Sequence, residues 1–217
     1  MNAPLIARLD PVTLRENAYF ALRDAFTRGA FAPGDTVSLR NLADQLGVSM
    51  TPVREAVRRL VAEGALIDTP SRTLMVPAFN ARRAADLMAA RLSLEHLVLD
   101  QAMERMDAGG IAALAAILDR APDRPAGLPD LVANHAFHFT LYRQSGSDIL
   151  LPLIEALWLQ YGAYLNLIIN RPADGQIAEH AHHHEIVDAL RVGNRAAAHA
   201  ALEADITRSF GFLLPAA

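Results

Sequence analysis

The chain has 217 residues, 52% hydrophobic and 20% charged, which suits one large or two small packed domains and excludes a disordered chain. It contains no cysteine, which excludes a disulfide scaffold, a thiolate nucleophile and a Cys-ligated metal centre, and makes a reducing cytoplasm the expected compartment. The 20 basic residues are all arginine and stand against 24 acidic ones, net −4, so the totals do not announce a nucleic-acid partner; yet residues 1–80 hold nine Arg against eight acids, and residues 81–217 eleven against sixteen.

Residues 1–11 lack a continuous apolar run and carry Arg8 and Asp10, so no secretory leader is expected. Over 13–28, Leu14, Ala18, Leu22, Ala25 and Phe26 form one helical stripe, and Gly29 stands where a helix stops. The stretch APGDT reads as a turn. Ser38 then offers an N-cap for a short helix carrying Leu39, Leu42, Ala43 and Leu46, ended by Gly47. Thr51 is read as the cap of a third helix, with Pro52 at its first position and Val53, Ala56, Val57 and Leu60 along one side as far as Glu63. After Gly64 the short apolar runs 65–67 and 73–76, separated by a polar tip at 68–72, predict a β-hairpin. Two short helices joined by Gly-Val-Ser and followed by a hairpin make a winged helix-turn-helix over 1–76. Arg40, Ser49, Thr51, Arg54, Arg58 and Arg59 supply hydroxyls for phosphates and planar guanidiniums for phosphates or guanine edges. The alternative use of the same arginines is to solvate an outer helix face.

The run FAPGDTVSLRNLADQLGVSMTPVREAVRRLVAEGALI is similar, nearly position for position, to the DNA-binding domain of GntR-type bacterial regulators. The resemblance implies that Arg40, Ser49, Thr51 and Arg54 contact operator DNA, with the wing around Pro70, Ser71 and Arg72 at the groove edge. Met50 occupies a position where the family usually has a second DNA-contacting Arg, so the resemblance implies that one base or phosphate contact is either missing or replaced by an apolar one, such as to a thymine methyl. The wing tip also lacks the family's usual Gly.

Residues 77–80 read as a linker, with Asn80 able to cap the next helix. From 81 to about 106, Ala84, Leu87, Met88, Leu92, Leu99, Ala102 and Met106 recur at helical spacing, with Glu95 the exception in the stripe. Further helices are expected at 111–118, 130–144, 149–169, 173–192 and 194–213, divided by the Pro-rich loop 122–129, Gly146, the break at 170–172 and Gly193. The second half is thus an all-α antiparallel bundle of about six helices over 81–217, making the chain mainly α. The stretch 149–169 is long enough to span a bilayer, but Pro152, Glu155, Gln160, Gly162 and Asn166 mark it as a core or interface helix.

Seven of the eight histidines lie beyond residue 130, four of them within 180–184, and His96 stands in the first bundle helix. Asn134 and His138 are i, i+4 on one helix, and convergence with a later helix is how bundles build metal sites. Spacing leaves His182, His183 and His184 open, although Ile177, Ile186 and Leu190 put position 183 nearest the buried stripe. The half resembles the FCD ligand-binding domain carried by the FadR subfamily of GntR regulators, in NHAFHFTL and HHEIVDALRVGN. That resemblance implies a ligand set of Asn134, His138, His183 and Asp205, with Asn standing for the family's Asp and Asp for its last His. A divalent metal, Zn²⁺, Ni²⁺ or Mn²⁺, suits this set; the alternative is a metal-free pocket that hydrogen-bonds the effector directly. It also implies a small organic-acid effector whose carboxylate meets the metal and Arg91, although Arg91 could instead pair with Glu95 at i+4. Tyr142, Tyr161, Tyr164 and Asn166 are candidate cavity residues, and aromatics at that spacing also serve as ordinary core.

The resulting expectation is a non-enzymatic, homodimeric transcription regulator, a repressor by default, that binds a palindromic operator and is released by an organic acid. The competing expectation is a metal-dependent hydrolase using the His cluster, with Glu179 or Glu185 as general base. The absence of HExxH spacing and the presence of the winged domain argue against it.

Overall fold

The computed structural model describes residues 11–70, 73–120, 129–170 and 180–214. The elements run α1 (Pro11–Thr27), β1 (Thr36–Val37), α2 (Leu39–Leu46), α3 (Met50–Ala62), β2 (Ile67–Asp68) and β3 (Leu74–Met75), followed by helices alone: α4 (Ala81–Arg105), α5 (Ala108–Leu118), α6 (Leu131–Arg143), α7 (Leu150–Ile169), α8 (Ala181–Arg191) and α9 (Arg195–Gly211). No helix among the described residues is long and apolar enough to cross a membrane.

Local chemistry sets most of these boundaries. α1 ends in a Schellman motif, in which Gly29 N–H donates to the Phe26 carbonyl and Ala30 N–H to that of Ala25, with Gly29 at φ +73°. α2 starts where Ser38 Oγ accepts the Asn41 N–H, and ends at Gly47 in the left-handed region. α3 begins earlier than Thr51: Ser49 is the N-cap in extended backbone, and Pro52 sits at the third helical position. Its missing N–H costs nothing there, because the first four amides of a helix have no intrahelical partner. The hairpin expected at 65–76 forms as β2 and β3, and the turn APGDT leads into a strand missed in the sequence, β1, giving the antiparallel order β1-β3-β2 with Val37 opposite Leu74 and Ile67 opposite Met75. Side chains of Asn80, Asp107, Asp130 and Asn194 cap α4, α5, α6 and α9 through the amides of Arg83, Gly110, Ala133 and Ala197. α8 begins at Ala181 because His180 is left-handed; the expected start at 173 lies outside the described residues.

Two hydrophobic cores result. The bundle core packs Leu87, Leu99, Leu114, Phe137, Leu141, Ile154, Trp158, Ile186, Leu202 and Phe210. The winged core packs Leu22, Phe26, Leu42, Val53, Val57, Leu60, Leu66 and Val76, and it includes Leu159 and Ala163 of α7. α7 is therefore apolar on two faces, Ile154, Trp158 and Tyr161 toward the bundle and Leu159 and Ala163 toward α1. Polar contacts fix this junction: Arg23 pairs with Glu155 at 2.9 Å, Gln160 Nε2 donates to the Glu63 carbonyl at 3.0 Å, and Asn166 Nδ2 donates to the Gly29 carbonyl at 2.6 Å. At Gly162 the α1 backbone approaches so closely that a Cβ would lie 1.9 Å from the Phe26 carbonyl oxygen.

Candidate functional site

The winged half presents an exposed face built by the start of α2 and the outer side of α3. Arg40, Ser49, Met50, Thr51, Arg54 and Arg58 are all exposed, while Pro52, Val53, Ala56, Val57 and Leu60 fill the opposite side. Met50, Arg54 and Arg58 recur every four residues and so share one stripe. The arginines differ in their commitments. Arg58 pairs with Glu55 at 2.7 Å, whereas Arg40 and Arg54 have no acidic partner among the described residues. Arg59 stacks 3.7 Å above the Tyr19 ring and bonds Glu63, so it braces α3 on α1 rather than joining this stripe. Ser49 makes no side-chain cap bond. Ser71 and Arg72, read from sequence as wing contacts, lie outside the described residues.

The bundle half holds a cavity of about 110 Å³, floored by Arg91, Trp158 and Tyr161, with Asn134, His180, His183, Asp205 and Arg208 on its polar side. Beneath it lies a buried polar network centred on Glu95, the residue that broke the apolar stripe of α4. Its carboxylate accepts from Arg91 Nε at 2.6 Å, Arg91 Nη2 at 3.2 Å, Trp158 Nε1 at 3.0 Å and the Tyr142 hydroxyl. Burial lowers the Arg91 pKa, but the Glu95 carboxylate outweighs that effect and raises it, so the guanidinium is charged between the Trp158 and Tyr161 rings. Both readings of Arg91 meet here: it lines the cavity and it is ion-paired at i+4.

His138, His183 and Asp205, from α6, α8 and α9, are buried with ligating atoms all within 4.8 Å of one another. His138 Nε2 lies 3.1 Å from His183 Nε2 and 3.2 Å from Asp205 Oδ2, and His183 Nε2 lies 3.6 Å from Asp205 Oδ1. Burial pushes the His183 imidazole down to about 4, against the pull of Asp205, so it is neutral at pH 7. Burial would raise the Asp205 carboxyl, but the His138 and His183 imidazoles that face it outweigh this and hold the group well below its ordinary range.

The proton inventory tests whether a cation fits. The Tyr142 proton goes to Glu95, so the Tyr142 oxygen accepts from His138 Nδ1 at 2.9 Å. A neutral His138 then presents its Nε2 lone pair toward His183 Nε2 and the Asp205 carboxylate. His138 Nε2 and the Asp205 carboxylate are then both acceptors, and a single proton on His183 Nε2 can serve only one of them, an arrangement that a second proton on His138 or a divalent cation satisfies. N and O donors of this kind suit Zn²⁺, Ni²⁺ or Mn²⁺. Asn134, one turn before His138, lines the same cavity.

Two sequence expectations are corrected. Tyr142 does not line the cavity; it is fully buried between His138 and Glu95 and orients the imidazole. Asn166 faces the opposite side of α7, bonded to Gly29, because a helix with two buried faces can turn a polar residue toward either. Tyr161 does line the cavity, while Tyr164 packs edge-on against Phe79. Glu185 is exposed and bound to His182, away from the buried cluster, and Glu179 lies outside the described residues. Sequence reasoning passed over Arg208, and only the cluster of four histidines at 180–184 flagged His180.

Comparison with known proteins agrees with this division. Residues 14–76 match the model of the gntR family of bacterial regulatory proteins, and residues 86–208 match the FCD domain. The chain is 29% identical to the HTH-type transcriptional regulator McbR of Escherichia coli K12 over 196 residues, covering 88% of this chain and 89% of that one. It is 33% identical over 130 residues to the Nta operon transcriptional regulator of Aminobacter aminovorans, covering 58% and 61%. The solved structure of E. coli McbR/YncC superposes with a TM-score of 0.84 at 27% identity over 92% of this chain and 96% of that one, and a GntR regulator from Rhodococcus sp. RHA1 shares the fold at a TM-score of 0.72 over 94% and 99%. A winged reader matched by one family model and a helical bundle matched by the other make this chain a transcriptional regulator, not an enzyme, of the GntR family with an FCD domain.

Proposed function

We propose that the chain is a cytoplasmic, homodimeric repressor whose binding to a palindromic operator is relieved by a small organic acid held at a divalent cation in the bundle. In this reading residues 1–76 read DNA, 77–80 link, and 81–217 sense and dimerise. The observation that carries it is the double membership of α7: Trp158 and Tyr161 floor the cavity while Leu159 and Ala163 complete the winged core. A ligand that moves α7 by fitting one arrangement better than another moves the surface that α1 packs on, as coupling between sites requires.

Arg40, Ser49, Met50, Thr51, Arg54 and Arg58, with Ser71 and Arg72 of the wing, are the proposed DNA contacts. His138, His183 and Asp205, joined by Asn134, are the proposed ligands for Zn²⁺, Ni²⁺ or Mn²⁺. Tyr161 and Arg91 support the effector from the floor, and Arg208 stands beside Asp205 on the polar side, 3.1 Å from its carboxylate. The test is fluorescence anisotropy with the DNA upstream of the protein's own gene, with and without Zn²⁺ and a panel of short carboxylic acids. Salt-sensitive binding weakened by one acid supports the reading; no salt-sensitive binding to any duplex refutes it.

A further inference from the structure

His180 is the one non-glycine residue among those described with positive φ, at φ 63° and ψ 7°, immediately before α8. Left-handed backbone is unfavourable for a residue bearing a Cβ and marks a position held by its surroundings. Here it aims the ring at α8's own first turn: His180 Nδ1 lies 2.8 Å from His183 Nδ1, and His180 also lines the cavity. Two imidazole Nδ1 atoms at that distance share one proton, so one ring donates and the other accepts.

Which ring donates decides what His183 offers to the buried cluster. If His180 donates, a neutral His183 carries its proton on Nε2 and presents no lone pair toward His138 and Asp205. If His183 donates, its Nε2 is bare and ready to ligate. His138 is set in the ligating tautomer from outside by Tyr142 and Glu95. We infer that His180 is the matching positioning residue for His183, accepting its Nδ1 proton so that Nε2 faces the metal position.

The inference rests on the cation site proposed above. In the metal-free form His180 Nδ1–H donates and His183 keeps its proton on Nε2. With a cation held by His138, His183 and Asp205, the shared proton would sit on His183 Nδ1, His183 Nε2 would have given its proton to solvent, and His180 would have taken one from solvent on Nε2. Each ring holds one proton before and after, so the exchange is a tautomer change with no change in charge. It leaves His180, a cavity-lining residue, with Nε2–H as a donor.

The experiment is Zn²⁺ titration of the chelator-treated, full-length protein against a chromophoric chelator, for wild type, His180→Gly and His180→Asn. Loss of an outer hydrogen-bond partner weakens metal binding about 10–100-fold, the loss expected for His180→Gly, which also relieves the positive φ and should melt no lower than wild type. Asn keeps an acceptor and tolerates the backbone, so His180→Asn should lie between the two. Zn²⁺ affinity of His180→Gly within twofold of wild type overturns the inference. In parallel, ¹⁵N spectra should show coupling between the two Nδ1 atoms across their hydrogen bond, with the covalent N–H passing from His180 to His183 when Zn²⁺ is added. If wild type takes up no Zn²⁺, the cation site falls, and absence of that coupling in the same sample overturns the His180–His183 pairing separately.

Discussion

Replacing Gly162 by Ala tests whether the winged half is seated on α7 as tightly as the geometry states. The added Cβ would lie 1.9 Å from the Phe26 carbonyl oxygen, 2.8 Å from the Phe26 carbonyl carbon and 2.9 Å from Thr27 Cα. All three are backbone atoms of α1, so no side chain can swing aside, and α1 must retreat by about 1.5 Å to reach ordinary contact. That retreat loosens Leu159 and Ala163 against the winged core and stretches the Arg23–Glu155 and Asn166–Gly29 bonds. Overpacking of this kind costs about 1–3 kcal/mol, and the severity of the clash places it at the upper end. Ala gains about 1 kcal/mol over Gly in a helix interior, leaving a net loss of about 2 kcal/mol. For a chain of this size that is a melting point lower by about 4–8 °C. Gly211→Ala is the control, because its Cβ would meet nothing within 4 Å. Thermal unfolding followed by circular dichroism reads both variants. A Gly162→Ala protein as stable as Gly211→Ala would refute the close seating of α1 on α7 and, with it, the proposed coupling route.

Glu95→Gln removes the carboxylate that serves Arg91, Tyr142 and Trp158 and leaves a guanidinium 2% exposed without its counter-charge, so urea unfolding should show a loss of about 3–5 kcal/mol. Arg54→Ala should weaken operator binding and reduce the slope of log affinity against log salt by about 1 for each phosphate that Arg54 neutralises, while Arg59→Ala, which unstacks Tyr19, should lower stability and leave that slope unchanged. Burial would raise the Asp100 carboxyl, but hydrogen bonds from His199 at 2.7 Å and Arg195 at 2.5 Å outweigh it and lower its pKa. A depressed carboxylate stabilises the fold above its unfolded pKa and loses that contribution as pH falls through the folded value. The stability gap between wild type and Asp100→Asn should therefore be under about 1 kcal/mol at pH 7 and close below pH ~4.

Capping chemistry made much of the fold legible, because Ser38, Gly47, Asn80 and Gly193 each have few other uses. The start of α3 was ambiguous since Ser49 and Thr51 are both good caps and Pro52 is tolerated throughout the first turn. β1 has two residues, too short for any alternation to show, and exists because β3 supplies its partners. α7 hid its orientation for a different reason: apolar residues on two sides leave no polar stripe to point outward, so Asn166 read as a cavity residue when it serves the junction with α1. The buried cluster was more legible than its support. His138 and His183 were reached from spacing and resemblance, but the bonds of Tyr142 and Trp158 to Glu95 join different helices, which no single-helix periodicity encodes. Glu95 had one visible signal, a carboxylate where the α4 stripe called for an apolar side chain.

The charges around the cavity make one last prediction about the order of binding. Arg91 is neutralised by Glu95 at 2.6 Å, and Arg208 by Asp205 at 3.1 Å. His183 is uncharged at pH 7. With both guanidiniums paired, the described lining residues offer no surplus guanidinium charge to an incoming carboxylate, and a partly buried anion without one is expelled toward water. A divalent cation among His138, His183 and Asp205 would reverse the local sign. If an organic acid is the effector, it should raise the melting temperature only after Zn²⁺, Ni²⁺ or Mn²⁺ has been added to chelator-treated protein, and Asp205→Asn should weaken both the metal and the acid response. An acid that stabilises chelator-treated and metal-loaded protein equally would refute this order and leave direct hydrogen bonding by Asn134, His180 and Arg208 as the mode of recognition.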